Sequence, residues 1–151
     1  MIQLSQSICN VVVHVVFTTA RRTPWISEAV EARVWSHLAA CINATGSETI
    51  AVGGVDDHVH LVFALSPTVA LSTLIGRAKG ATSRFASTEL ALSEFAWQRG
   101  YFAASVHTSD MARLLAYVQN QRQHHRERTL DAELARFTPR ASSAPANDGD
   151  C

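Results

Sequence analysis

Residues 57–65 read DHVHLVFAL, and their alternation decides the fold. In an extended strand successive side chains point to opposite faces, so His58, His60, Val62 and Ala64 share one face. Val59, Leu61, Phe63 and Leu65 share the other, an apolar surface that helices must cover. Just upstream, ETIAVGGVD (48–56) reads as a second strand, in which Gly53-Gly54 suggests a bulge or a close backbone approach. Further upstream, NVVVHVVFTT (10–19) is rich in β-branched residues and reads as a buried strand. Between these two, Val30, Val34, Leu38, Cys41 and Ile42 recur at helical spacing over about 28–44, with Ser27 as candidate N-cap and Gly46 ending the segment. Downstream, Pro67 opens a helix in which Leu71, Leu74, Ile75, Ala78, Thr82 and Phe85 share one face. WQRGYFAASV (97–106) leads as a loop or hairpin into a fourth strand. Met111, Leu114, Leu115 and Val118 mark a last helix over about 109–126, capped by Ser109 or Asp110. The order predicts an α+β fold: a ferredoxin-like β-α-β-β-α-β antiparallel sheet with an additional C-terminal helix that carries Tyr117. It occupies residues 1–128; 129–151 reads as a polar tail, largely disordered apart from a short helical stretch at 130–136.

Composition excludes more than it selects. A chain of 151 residues, 47% hydrophobic and 17% charged, builds one domain with a packed core and is not a disordered polyelectrolyte. Thirteen basic and thirteen acidic residues cancel, so bulk charge supplies no argument for nucleic-acid binding. The balance is uneven: residues 1–128 carry +2 and 129–151 carry −2. All the basic residues except Lys79 are Arg, whose planar fork suits phosphate, although a GC-rich genome produces the same bias. Cys9, Cys41 and Cys151 fit neither a disulfide framework nor a zinc site, and the first two read as small core residues. The apolar run Val11–Phe17 is too short to span a bilayer, and MIQLSQS has no charged leader region. A cytoplasmic protein with no membrane partner is expected.

Three features carry chemistry. His58 and His60, two apart on one strand face, can grip a divalent metal ion; the same pattern also arises from two half-exposed strand histidines. Tyr117 lies at the margin of the last helix's apolar face, with Gln121 and His124 four and seven residues on in the same stripe. That arrangement sets a phenol nucleophile beside an amide oxygen, or else is a boundary tyrosine with its hydroxyl in water. Arg77 and Arg84 share a stripe with Lys79 on the other side, and Thr82 and Ser83 add hydroxyls for holding phosphates; a solvated helix face is the alternative. Arg21 and Arg22, with Trp25 close by as a stacking surface, extend a nucleic-acid path or form a charged turn beside a core Trp.

Five segments taken in order, VVVHVVFTTARRTPWI (11–26), GGVDDHVHLVFAL (53–65), LSTLIGRAKGATSRF (71–85), FAWQRGYFAASV (95–106) and YVQNQRQHH (117–125), resemble a known family. They are similar to the single-tyrosine, histidine–hydrophobic–histidine (HUH) transposases of the insertion-sequence 200/605 type, the IS200-like transposases, over roughly residues 10–128. The resemblance implies an enzyme that cleaves and rejoins single-stranded DNA whose element ends are marked by hairpins. It implies that His58, His60 and Gln121 hold Mg²⁺ or Mn²⁺, and that Tyr117 attacks the scissile phosphate to leave a 5′-phosphotyrosine and a free 3′-hydroxyl. It also implies a homodimer in which the tyrosine helix acts in trans, and it matches Asp57 to an acid with a ligand-orienting role. Rejoining from a phosphotyrosine needs no nucleotide cofactor, consistent with the lack of a P-loop pattern. The alternative is a domesticated, non-catalytic protein that binds single-stranded hairpin DNA or acts as a repressor.

Overall fold

The computed structural model describes residues 7–124 and 129–135. The β-branched run forms β1 (Val12–Thr18), followed by α1 (Glu31–Asn43), β2 (Glu48–Val55), β3 (His58–Ala64), α2 (Leu71–Glu89) and β4 (Phe102–Ser105). Three short helices close the described chain: α3 (Met111–Gln119), α4 (Gln121–His124) and α5 (Leu130–Leu134). The strands lie in the order β2-β3-β1-β4, every neighbouring pair antiparallel. The two βαβ units therefore interleave, β3 sitting between β1 and β2, and β1 between β3 and β4. This is the ferredoxin-like arrangement the element order predicts.

The period-two pattern of β3 separates two unlike layers. Val59, Leu61 and Phe63, with Val13, Val15 and Phe17 of β1, pack against Val34, Leu38 and Ile42 of α1 and Leu74, Ile75 and Ala78 of α2. Each fully buried aliphatic side chain contributes about 1.5–3 kcal/mol, so this face holds most of the hydrophobic stabilisation. The opposite face carries the histidines and only a small apolar cluster, Val62 with Leu114 and Val118 of α3.

Several boundaries differ from the sequence reading. α1 begins at Glu31 because Ser27 supplies its main-chain carbonyl, not a side-chain cap, to the amides of Val30 and Glu31. In α2 Ala86, not Phe85, completes the buried face; Phe85 stacks on His37 with ring centroids 4.3 Å apart, and the Arg33 guanidinium stands 5.5 Å over its ring. The irregularity of β2 falls between Thr49 and Ala51, while Gly53 serves a close approach described below. Cys9 is exposed and Cys41 half-buried, so neither is a fully buried core residue. The single helix expected over 109–126 is broken: a 3₁₀ turn at Thr108–Asp110 precedes α3, and Asn120 leaves the helical region (φ −104°, ψ 26°) before α4. Beyond residue 128, Thr129 caps α5 by accepting from the Ala132 amide, and Leu130 and Glu133 are buried. The rest of the expected tail, 136–151, lies outside the described residues. Among those residues no helix is long and apolar enough to cross a membrane.

Candidate active site

Strand register assembles the site. Across β1 and β3, Thr18 faces His58, Val16 faces His60 and His14 faces Val62; across β2 and β3, Gly53 faces His60. Directly paired residues share a face, so His14 joins His58 and His60 on the side away from α1 and α2. His14 Nε2 lies 3.0 Å from His60 Nδ1, and the two rings stack with centroids 5.2 Å apart. His14 was not among the candidate residues. Its one local signal was a polar side chain inside VVVHVVF, and the partner that gives it meaning is 46 positions away.

The hydrogen bonds orient both imidazoles. His58 Nδ1 lies 2.7 Å from Asp57 Oδ1, and Asp57 Oδ2 accepts from Arg22 Nε at 2.8 Å. Each Nδ1 thus faces a partner, Asp57 for His58 and His14 for His60, and Nε2 is the other nitrogen of each ring. His58 Nε2 is 3.3 Å from Gln121 Oε1, and the Gln121 amide nitrogen donates to the Tyr117 carbonyl at 3.1 Å, which fixes the amide's orientation. The Tyr117 ring stands edge-on to His60, centroids 5.3 Å apart, and its hydroxyl donates to the Glu133 carboxylate. His58 and His60 are fully buried and Gln121 is 1% exposed. The structure therefore brings His58, His60, Gln121 and Tyr117 together within one chain.

Two further contacts set α3 and α4 over β3. A Cβ on Gly53 would lie 2.2 Å from the Val118 carbonyl oxygen, so α3 approaches β2 across bare backbone. Arg122, next to Gln121, reaches Glu31 (2.6 Å), Asp56 (3.3 Å) and Glu28 (3.5 Å), fastening α4 to α1 and to the turn before β3. No local spacing announces this group, because its members come from three separate segments.

The electrostatics place an ionised carboxylate behind His58 and an uncharged imidazole, His14, beside His60. Burial disfavours the Asp57 carboxylate, yet hydrogen bonds from His58 and Arg22 outweigh it and hold the group at about 2. Burial pushes His14 down to about 4, so at neutral pH it is uncharged and its Nε2 can accept the proton on His60 Nδ1. A histidine held neutral by folding binds more protons when unfolded. Stability is therefore expected to fall as pH drops from 6.5 toward 4, by roughly 2–3 kcal/mol at pH 4.5. The depressed Asp57 acts lower: its contribution is complete above about pH 4 and is lost as pH falls through 2. Urea titrations of metal-free protein at pH 7 and 4.5 measure the difference. Equal pH slopes for wild type and His14→Gln would refute the assignment to His14.

As a donor set, two imidazole nitrogens and an amide oxygen suit a divalent ion of intermediate hardness such as Mn²⁺, and Mg²⁺ less closely. Among the described residues no group of three or more His, Cys, Asp or Glu side chains forms a metal cluster.

The residues expected to hold phosphates fare differently. Arg21 and Arg22 form a tight turn with both φ near 55°, a left-handed conformation costing about 1 kcal/mol or more per residue. Thr19 steadies it, its hydroxyl donating to the Thr23 carbonyl at 2.7 Å. Arg22 is joined to the cluster through Asp57, whereas Trp25 packs against the main core. Arg77 and Arg84 are exposed on α2, behind the sheet from the histidines, and the structure does not bring them to the site. Lys79 turns inward: its ammonium donates to the Gln98 and Gly100 carbonyls (2.7 and 2.8 Å) and stands 5.2 Å over the Phe17 ring. Burial pushes it down to about 8, and it clasps the loop leading to β4. The His124 side chain lies outside the described residues.

Comparison with known proteins adds three findings. The family profile described as "Transposase IS200 like" matches residues 7–121. The 1.90 Å crystal structure of a protein from Deinococcus radiodurans R1 assigned as a transposase is similar in fold, with a TM-score of 0.61 at 20% identity, covering 80% of this chain and 98% of that one. The structure of the REP-associated tyrosine transposase bound to a REP hairpin is also similar, with a TM-score of 0.61 at 14% identity, covering 98% of this chain and 94% of that one. No curated protein sequence matches the chain.

Proposed function

This chain belongs to the IS200-like transposase family, whose members are DNA-cleaving enzymes, and from that premise we propose that it cuts and rejoins single-stranded DNA through Tyr117. The observation that carries the reading is the buried cluster of His58, His60 and Gln121 with the Tyr117 ring against His60. The substrate is a phosphodiester in single-stranded DNA flanked by hairpins, a reading supported by the hairpin bound to the similar REP-associated transposase.

His58 and His60 through Nε2, and Gln121 through Oε1, would hold Mg²⁺ or Mn²⁺, which when bound neutralises charge building up on the phosphate oxygens. Asp57 and His14 keep the two imidazoles in the required tautomer. The Tyr117 oxygen forms a bond to phosphorus as the bond to the 3′-oxygen breaks, leaving a 5′-phosphotyrosine and a 3′-hydroxyl. The new ester conserves the energy of the old bond, so a 3′-hydroxyl can reverse the step. The Arg21–Arg22 turn reaches the cluster through Asp57 and would be its basic surface for DNA; Arg77 and Arg84 would engage only a strand that continues around the domain. A homodimer remains part of the proposal, although Tyr117 lies here against His60 of its own chain.

The test is an adduct assay with single-stranded DNA from both flanks of the gene and Mn²⁺, read on a denaturing gel. A shifted protein band that disappears with chelator and returns with added Mn²⁺ is expected. Tight hairpin binding without an adduct would favour the non-catalytic alternative.

A further inference from the structure

We propose that Glu133 is the general base for Tyr117 during cleavage and the acid that returns the proton during rejoining; this rests on the function proposed above. The Tyr117 hydroxyl carries a proton, and that proton needs a receiver as the O–P bond forms. In the structure the hydroxyl donates to Glu133 Oε2. The neighbouring His60 presents its ring to the edge of Tyr117, and its Nδ1 is bonded to His14. Glu133 is 2% exposed, and α5 brings it there by burying Leu130 and by the Thr129 cap. A buried carboxylate accepting from the reacting oxygen has the geometry required of a base.

The step balances. A lone pair on the Tyr117 oxygen forms the bond to phosphorus while the phenol proton passes to Glu133. The 3′-oxygen departs with the electron pair of the broken P–O bond and takes a proton from solvent water. In rejoining the 3′-hydroxyl attacks phosphorus, its proton passes to water, and the protonated Glu133 returns its proton to the departing Tyr117 oxygen.

The experiment measures single-turnover adduct formation by the full chain carrying Glu133→Gln, a substitution of nearly equal volume, alongside hairpin binding and thermal unfolding. The expected result is a rate about 100- to 10,000-fold lower, with hairpin binding unchanged. A fluorinated tyrosine at position 117, a more acidic phenol, should recover part of the lost rate in Glu133→Gln and change the wild-type rate less. A merely structural Glu133 would give the same fluorotyrosine effect in both backgrounds, which overturns the proposal. An unchanged rate also overturns it, and a faster one would make Glu133 a restraint on the tyrosine instead of its base. If the wild-type chain itself forms no adduct, the function proposed above fails and this inference falls with it.

Discussion

Replacing Tyr117 with phenylalanine is expected to abolish the covalent DNA adduct while hairpin DNA still binds. Phenylalanine keeps the ring that stands edge-on to His60 and its contact with the small cluster of Val62, Leu114 and Val118. It removes only the hydroxyl, which is both the proposed nucleophile and the donor to Glu133. Tyr117→Phe also removes one donor to that buried carboxylate, so some loss of thermal stability accompanies the loss of chemistry. Binding and unfolding measured on the same preparation separate the two effects. The only other tyrosine, Tyr101, is exposed just ahead of β4. An adduct that survives Tyr117→Phe but vanishes with Tyr101→Phe would place the nucleophile elsewhere and refute the site.

Gly53→Ala, a change of one methyl group, should slow the chemistry about 100-fold with the nucleophile intact. The new Cβ would lie 2.2 Å from the Val118 carbonyl oxygen and 3.1 Å from its carbon, backbone atoms that no rotamer change can move. Either the core is strained, at about 1–3 kcal/mol, or α3 lifts from the sheet by about 1 Å. Lifting is the easier response, because α3 is held by a small cluster whereas β2 is laddered to β3. A displacement of that size carries Tyr117 and Gln121 away from the histidines and is expected to slow adduct formation about 100-fold. The main core should survive, so far-ultraviolet circular dichroism stays native while the single-turnover rate falls. A variant that reacts at the wild-type rate would show that the α3–β2 contact does not position the tyrosine.

What the sequence makes legible depends on range. The alternation of DHVHLVFAL is a local property of strands, and it placed His58 and His60 together on the face opposite the apolar core. The βαββαβ order is likewise written in successive periodicities. Tyr117 and Gln121, four apart, stay linked through the amide-to-carbonyl bond even though Asn120 interrupts the helix. That break has no glycine or proline to announce it. Contacts that depend on which strand lies beside which were invisible: His14 gains its meaning only because β1 pairs with β3. Lys79 shows the same limit, since a helical wheel gives its direction but not the loop whose carbonyls arrive there. Glu133 shows it too: it lies in the short helical stretch expected at 130–136, but only the tertiary fold buries its side chain against the tyrosine.

The position of β3 has a consequence for motion. It is laddered to β1 along one edge and to β2 along the other, and its two histidines have their Nδ1 atoms tied to Asp57 and His14. Displacing that strand means parting two ladders together. Among the described residues the tyrosine side is attached by no strand ladder but through the bare-backbone contact at Gly53, a few apolar side chains, the Gln121–His58 contact and the ion pairs of Arg122. The site is thus half anvil and half hammer: the sheet keeps the imidazoles still, and whatever travel is needed to admit a DNA strand falls to the helices.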